Sequence, residues 1–388
     1  MKLAKRIENV PPYLFAQIDK KKAALKATGA DIIDFGIGDP DLPTPEHIND
    51  VLHAALDDPK HQQYPPYEGT KEFRQAVATW YKKRFNVDLD PEKEVMALIG
   101  SKEGIAHVFF AFIDSGDIAL IPDPAYPVYK VACILADGSP RFMPLTKEHG
   151  FLPKFEDIPR SVADKAKLMF LNYPNNPTGA VAGEKFLKQA VDFAKKHDIL
   201  ICQDFAYSEI AFDGYKLKSI LEIPGAKDVA IEFHSLSKTY NVTGWRIGMV
   251  VGNSQAIAAL SIIKTNVDSG AYKAIQHAAA AALTGPQDCI QETVKTFQER
   301  RDVLIEGLHS LGSKVAKPKA TFYVWVKTPR GKTSSQFVEE LMEKCAIITV
   351  PGSGYGKCGE GYIRMAITVK TPRIKEAIQR MKEAGIRF

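Results

Sequence analysis

Between Ser235 and Arg246 the chain reads Ser-Leu-Ser-Lys-Thr-Tyr-Asn-Val-Thr-Gly-Trp-Arg, so Lys238 stands between short hydroxyl residues with a guanidinium further on. Hydroxyls and a guanidinium converge well on a phosphate, the arginine offering a planar fork of donors. A lysine alone in such a stretch reads as a solvated loop residue. A lysine beside a phosphate site points instead to a phosphorylated aldehyde held as a Schiff base. That linkage overcomes a real obstacle, since a free lysine with a pKa near 10.4 is neutral in only about one molecule in a few thousand at pH 7.

Other residues extend this chemistry. An electron-withdrawing pyridine ring works only with its nitrogen protonated, which calls for a carboxylate beside it, and Asp204 has that chemistry. Tyr207, in Asp204-Phe-Ala-Tyr, is a donor for a ring oxygen. Asn176, in Asn172-Tyr-Pro-Asn-Asn-Pro-Thr-Gly, can donate either to that oxygen or to a substrate carboxylate. Arg364 is embedded in the apolar run Tyr362-Ile-Arg-Met-Ala-Ile and needs an anionic partner, either in a structural salt bridge or as the clamp for an α-carboxylate. Once an amino-acid substrate displaces the lysine, the released amine is a general base for the substrate Cα proton, which is the centre of transamination.

The elements that must position these groups alternate. Strand-like runs begin at Val95, Ile118, Leu168, Ile199, Val229 and Ile247, and helical patterns at Pro45–Leu56, Lys71–Phe85, Gly100–Phe112 and Glu184–His197 separate several of them. This predicts an α/β fold with a mainly parallel sheet covered by helices on both faces. In such sheets ligands bind outside the carboxyl ends of strands, where Asn176, Asp204 and Lys238 all fall, Lys238 in a loop between two strands. The turn Gly100-Ser101-Lys102 opens a helix and is a second phosphate candidate, since free N–H groups and the helix dipole face a ligand there. Tyr126, in the loop after the Ile118 strand, either stacks on a flat ring or fills a gap. Gly38, in Gly36-Ile-Gly-Asp-Pro-Asp, allows close backbone approach. Tyr64, before two prolines, is a loop aromatic.

A long helix is expected over Gln287–Leu311, followed by strands at Phe322–Val326, Ala346–Val350 and Tyr362–Ile367 and helices at Ser335–Lys344 and Thr371–Ala384. Residues 46–285 read as a large domain, and residues 1–45 with 286–388 as a smaller α+β unit in which the amino-terminal segment, including a helix from Tyr13 to Thr28, packs with the carboxy-terminal part.

Composition narrows the function classes. With 51 basic and 46 acidic residues the net charge is +5, without a long basic block, which argues against a nucleic-acid surface. The 5 cysteines are widely spaced, with no metal-ligand pattern, and fit reduced thiols in a cytoplasmic protein. No metal and no membrane segment is expected.

The motifs Asn172-Tyr-Pro-Asn-Asn-Pro-Thr-Gly, Asp204-Phe-Ala-Tyr, Ser235-Leu-Ser-Lys-Thr-Tyr and Gly244-Trp-Arg-Ile-Gly, in this order, resemble those of fold-type I pyridoxal-phosphate enzymes, specifically class I/II aminotransferases. The resemblance covers essentially the whole chain. It implies pyridoxal 5′-phosphate as cofactor, Lys238 as the Schiff-base lysine, Asp204 at the pyridine nitrogen, and Tyr207 and Asn176 at the ring oxygen. Ser235, Ser237, Arg246 and the Ser101-Lys102 turn would hold the phosphate, Tyr126 would stack on the ring, and Arg364 with the Gly38 backbone would bind the α-carboxylate. Tyr64 would reach the phosphate of a partner subunit, implying a homodimer with shared active sites. Ile7-Glu-Asn-Val-Pro-Pro-Tyr-Leu-Phe, Gln63-Tyr-Pro-Pro-Tyr-Glu-Gly-Thr, Gly100-Ser-Lys-Glu-Gly-Ile-Ala-His and Lys264-Thr-Asn-Val-Asp-Ser-Gly are most similar to the diaminopimelate branch of the family in bacteria and cyanobacteria. The plant-type branch differs around Tyr67-Glu68. Amino-acid and 2-oxo-acid substrates follow from the resemblance, with a glutamate–pyruvate (alanine) or other broad-specificity amino-acid aminotransferase as the alternative. Tyr13, Lys102 and partner groups between Asn266 and Lys273 are the further candidates for reading the substrate. A β-eliminating carbon–sulfur lyase and a non-catalytic regulator are competing readings. The regulator is disfavoured by the presence of both Lys238 and Asp204.

Overall fold

The computed structural model describes residues 2–11 and 14–388, without the side chains of residues 14–19. Its centre is a 7-stranded sheet of Val95–Leu98 (β1), Ile118–Asp123 (β2), Ser139–Pro144 (β3), Ala166–Asn172 (β4), Leu200–Asp204 (β5), Ala230–Ser235 (β6) and Gly248–Gly252 (β7). The strand order is β1-β7-β6-β5-β4-β2-β3, and β7 runs against both of its neighbours while the other pairs are parallel. Strands β4 to β7 are almost continuously buried, as expected when helices cover both faces of a sheet.

The covering helices form for legible reasons. Lys71–Phe85 (α1) begins at Thr70, whose side chain accepts the Phe73 N–H, and ends at Asn86 in the left-handed region. Glu184–His197 (α3) buries Phe186, Leu187, Ala190, Val191 and Ala194, a single stripe at helical spacing, with lysines opposite. Ser101–Phe112 (α2) lies close against the sheet: a side chain at Gly104 would collide with Leu98 and press on Phe233. Close packing there draws the amino terminus of α2 to the edge where β1 ends and β7 begins.

Register makes the site edge flush. Asn172 pairs with Asp204, Asp204 with Phe233, and Ser235 with Gly248, which also pairs with Leu98. The ends of β4, β5, β6 and β1 and the start of β7 therefore lie along one line, and loops leaving them meet above it.

A second apolar cluster surrounds Tyr323–Lys327 (β8), Val350–Pro351 (β9) and Tyr362–Ala366 (β10), an antiparallel sheet in the order β9-β10-β8. The long helix Asp288–Ser310 and the helices Ser334–Cys345 and Thr371–Glu383 pack against it. Ile33–Asp34 pairs in parallel with Ile347–Ile348, so the amino-terminal segment is tied to this cluster. The single strand expected at Ala346–Val350 is divided: Ile347–Ile348 pairs with the amino-terminal segment, and after Thr349 the chain changes partner to β10. The expected loop around Lys238 is instead one helical turn, Leu236–Thr239, followed by a 3-10 turn at Thr243–Trp245. Strand β3 and the helices Val128–Leu135, Ser254–Val267 and Lys273–Thr284 were not expected from the sequence.

Candidate active site

A cavity of about 280 Å³ opens at the flush edge, lined by Gly38, Ser101, Lys102, Tyr126, Asn176, Asp204, Tyr207, Ser235, Ser237, Lys238, Arg246 and Arg364 together with Ile37, Ala206, Thr243 and Tyr323. Twelve of these lining residues are sequence candidates. Tyr64 is 85% exposed and lies outside this lining. Tyr13 falls outside the described residues.

The turn Leu236–Thr239 delivers Lys238 into the cavity, where its Nζ donates to Gly38 O at 2.8 Å. Burial lowers its pKa to about 8, Asp39 opposes the shift, and the cations of Arg246 and Arg364 reinforce it. Asp204 ends β5 and is 6% exposed. Burial raises its carboxyl to about 6, opposed by the Tyr129 hydroxyl, which donates to Oδ2 at 2.6 Å, and by the Ala206 N–H. Tyr207, three residues beyond the end of β5, donates to the Tyr323 hydroxyl at 3.1 Å.

Arg364 on β10 is 1% exposed and crosses from the second cluster to the first. It donates to Asn176 Oδ1 at 2.9 Å and Gly36 O at 2.6 Å, and its guanidinium lies 4.1 Å from the centre of the Tyr323 ring. Asn176 thus spends its carbonyl oxygen on Arg364, leaving its NH₂ as the donor for a ligand.

Ser101, Ser235, Ser237 and Arg246 line the same cavity. Ser237 is 3% exposed and its Oγ has no hydrogen-bond partner among the described residues. Gly100 has a φ of +74°, and any side chain there would collide with the Arg246 guanidinium. Arg246 is itself in the left-handed region and donates to Thr243 O at 2.9 Å. Together these residues form a pocket of hydroxyls, a helix amino terminus and a guanidinium, the donor set for a phosphate. Lys102 holds its ammonium 5.9 Å above the Tyr126 ring, and Tyr126 meets Tyr129 edge-on.

Tyr323 and Tyr129 were missed by the sequence reading. Tyr129 had a signal, standing three residues after Tyr126 where a helix begins, whereas Tyr323 lies in an apolar strand and resembles core. Elsewhere, Glu103, His107 and Asp268 group at metal-ligand distances, but the buried Lys264 ammonium already binds Glu103 at 3.2 Å and Asp268 at 2.8 Å.

A mainly parallel sheet carrying a cavity lysine, a buried carboxylate and a phosphate-type pocket at one edge is an architecture that can hold a phosphorylated aldehyde as a Schiff base. The chain belongs to the family described as aminotransferase class I and II, whose sequence model matches residues 30–381. Among its relatives, LL-diaminopimelate aminotransferase from Moorella thermoacetica is 55% identical over 382 residues, covering 98% of each chain. LL-diaminopimelate aminotransferase 2 from Trichormus variabilis is 55% identical over 389 residues, covering 100% of each. The structure of substrate-bound BacF from Bacillus subtilis superposes with a TM-score of 0.95 at 38% identity, covering 100% of this chain and 99% of that one.

The protein is an aminotransferase, and its cofactor is pyridoxal phosphate. The residues present fit that group. The Ser237 hydroxyl, unpartnered among the described residues, and the Gly100–Arg246 cradle suit its phosphate, and the buried Asp204, which at a pKa of about 6 is still mostly a carboxylate at pH 7, suits a protonated ring nitrogen.

Proposed function

We propose that this enzyme transfers an amino group from LL-diaminopimelate to 2-oxoglutarate, giving tetrahydrodipicolinate and glutamate, a step that serves lysine biosynthesis. The observation that carries the substrate is 55% identity, across essentially the full chain, to two relatives bearing that name. When bound, pyridoxal phosphate supplies an aldehyde for the lysine and an electron-withdrawing ring. The protein does the rest. Lys238 Nζ holds the cofactor and, once released, moves the proton at the substrate Cα. Its lowered pKa leaves about one molecule in ten neutral at pH 7, far more than an ordinary lysine. Asp204 keeps the ring nitrogen protonated, and Tyr207 and the Asn176 NH₂ donate to the ring oxygen. Ser101, Lys102, Ser235, Ser237 and Arg246 hold the phosphate, and Tyr126 stacks on the ring. Arg364 fixes the α-carboxylate beside Gly38, aligning the Cα–H bond with Lys238.

In this reading residues 46–285 form the cofactor domain, and residues 1–45 with 286–388 a smaller domain that brings Arg364. The enzyme is a cytoplasmic homodimer with shared sites. Tyr64 serves the partner's phosphate, and Tyr13 and the polar groups between Asn266 and Lys273 read the far end of the substrate. The exposure of Tyr64 at 85% in the single chain supports a role across an interface.

The test is a substrate panel on the purified holoenzyme. Glutamate formation from LL-diaminopimelate and 2-oxoglutarate is expected, far exceeding that from alanine. Turnover of alanine with none of LL-diaminopimelate would overturn the substrate assignment, and release of pyruvate and ammonia from cystathionine would place the enzyme among the carbon–sulfur lyases.

A further inference from the structure

Tyr323 touches three of the working groups at once. Its hydroxyl is 3.1 Å from that of Tyr207, and its ring lies 4.1 Å from the Arg364 guanidinium. The same hydroxyl fills the space that any side chain at Gly38 would need, and the Gly38 carbonyl accepts from Lys238 Nζ at 2.8 Å. Tyr323 is itself buried, fixed by its place in β8 and by its N–H, which donates to Thr321 Oγ1.

Two phenols at this separation share one hydrogen bond, so one donates and the other accepts. In the structure Tyr207 donates and Tyr323 accepts. A Tyr207 that gives its proton to a cofactor oxygen can only accept from Tyr323, and rotation about the two C–O bonds makes that exchange. The resulting series, from the Tyr323 O–H through the Tyr207 O–H to the ring oxygen, polarises each bond by the next, and both tyrosines are buried. Tyr207 becomes a stronger donor than a lone phenol.

We propose that Tyr323 is a positioning residue of the transamination site, its hydroxyl turning the Tyr207 O–H onto the cofactor's ring oxygen and its ring holding the Arg364 plane ready for the α-carboxylate. This rests on the assignments of Lys238, Tyr207 and Arg364 made above. The two contributions separate chemically. Tyr323→Phe keeps the ring beneath Arg364 and removes the hydroxyl, whereas Tyr323→Leu removes both.

The experiment is a visible-absorbance pH titration of the bound cofactor in wild type, Tyr323→Phe and Tyr323→Leu holoenzymes, with KM for the amino donor measured in parallel. A stronger donor at the ring oxygen favours its anionic form, so losing the Tyr323 hydroxyl should raise the titration midpoint by about half a unit. KM should stay within about twofold of wild type in Tyr323→Phe and rise about tenfold in Tyr323→Leu, as expected for loss of a buried cation–ring contact. An unmoved midpoint in Tyr323→Phe, or an equal rise of KM in both variants, would overturn the proposal. If Lys238→Ala leaves the wild-type cofactor spectrum intact, the failure lies instead with the site assignment on which the proposal rests.

Discussion

Lys238 is tuned by its surroundings before any ligand arrives. Its pKa of about 8 in the folded chain lies below the ordinary 10.5, so between those values the unfolded chain binds more protons and folding stability rises with pH. Replacing it with methionine removes that dependence. Cofactor-free Lys238→Met should therefore be more stable than wild type below about pH 8, the difference closing toward pH 10.5, as read by denaturant unfolding; parallel profiles would show that burial does not tune the lysine. Asp204 shifts the other way, held near 6 by burial. Asp204→Ala should retain some cofactor yet lose at least about a thousandfold in turnover, because the ring nitrogen loses its carboxylate; near-normal turnover would reject that role. Arg364→Lys keeps the charge but gives up the planar fork, so KM for amino-acid substrates should rise about tenfold or more. At this scale charged and amide residues were legible, because Asp204, Asn176 and Lys238 have costs or chemistries that an apolar setting makes conspicuous. Tyr323 and Tyr129 were not, since an aromatic in a buried run has a sufficient explanation in packing.

Among the elements, the decisive feature is the flush edge created by register, with β7 reversed so that its beginning meets the ends of β1 and β6. Gly100 is the junction, turning the chain from β1 into α2 at a φ of +74° while leaving room for Arg246. Gly100→Ala should weaken cofactor binding by about tenfold or more, since a strained backbone and a displaced guanidinium act together; cofactor affinity measured by fluorescence titration checks this, and unchanged affinity would remove the turn from the phosphate pocket. Most strands were legible from unbroken apolar runs. Strand β3, Ser-Pro-Arg-Phe-Met-Pro, was not: it is an edge strand, largely exposed, and tolerates two prolines that would break a central one. The division of Ala346–Val350 was equally hidden, because composition marks extended chain without revealing a change of partner.

For the whole molecule, a homodimer with shared sites would complement in a way that a monomer cannot. Lys238→Ala and Tyr64→Ala chains, each poorly active alone, should regain activity when unfolded together and refolded, because a mixed dimer contains one site with both residues intact; no gain on mixing would confine each site to one chain. Arg364, reaching from the second apolar cluster to Asn176 beside the central sheet, joins the two cores at the cavity. The proposed reaction turns on a Schiff base at Lys238. Borohydride reduction of the holoenzyme followed by peptide mass mapping should place the pyridoxyl group on Lys238 and on no other lysine, whereas a label elsewhere, or none, would contradict the site at its centre.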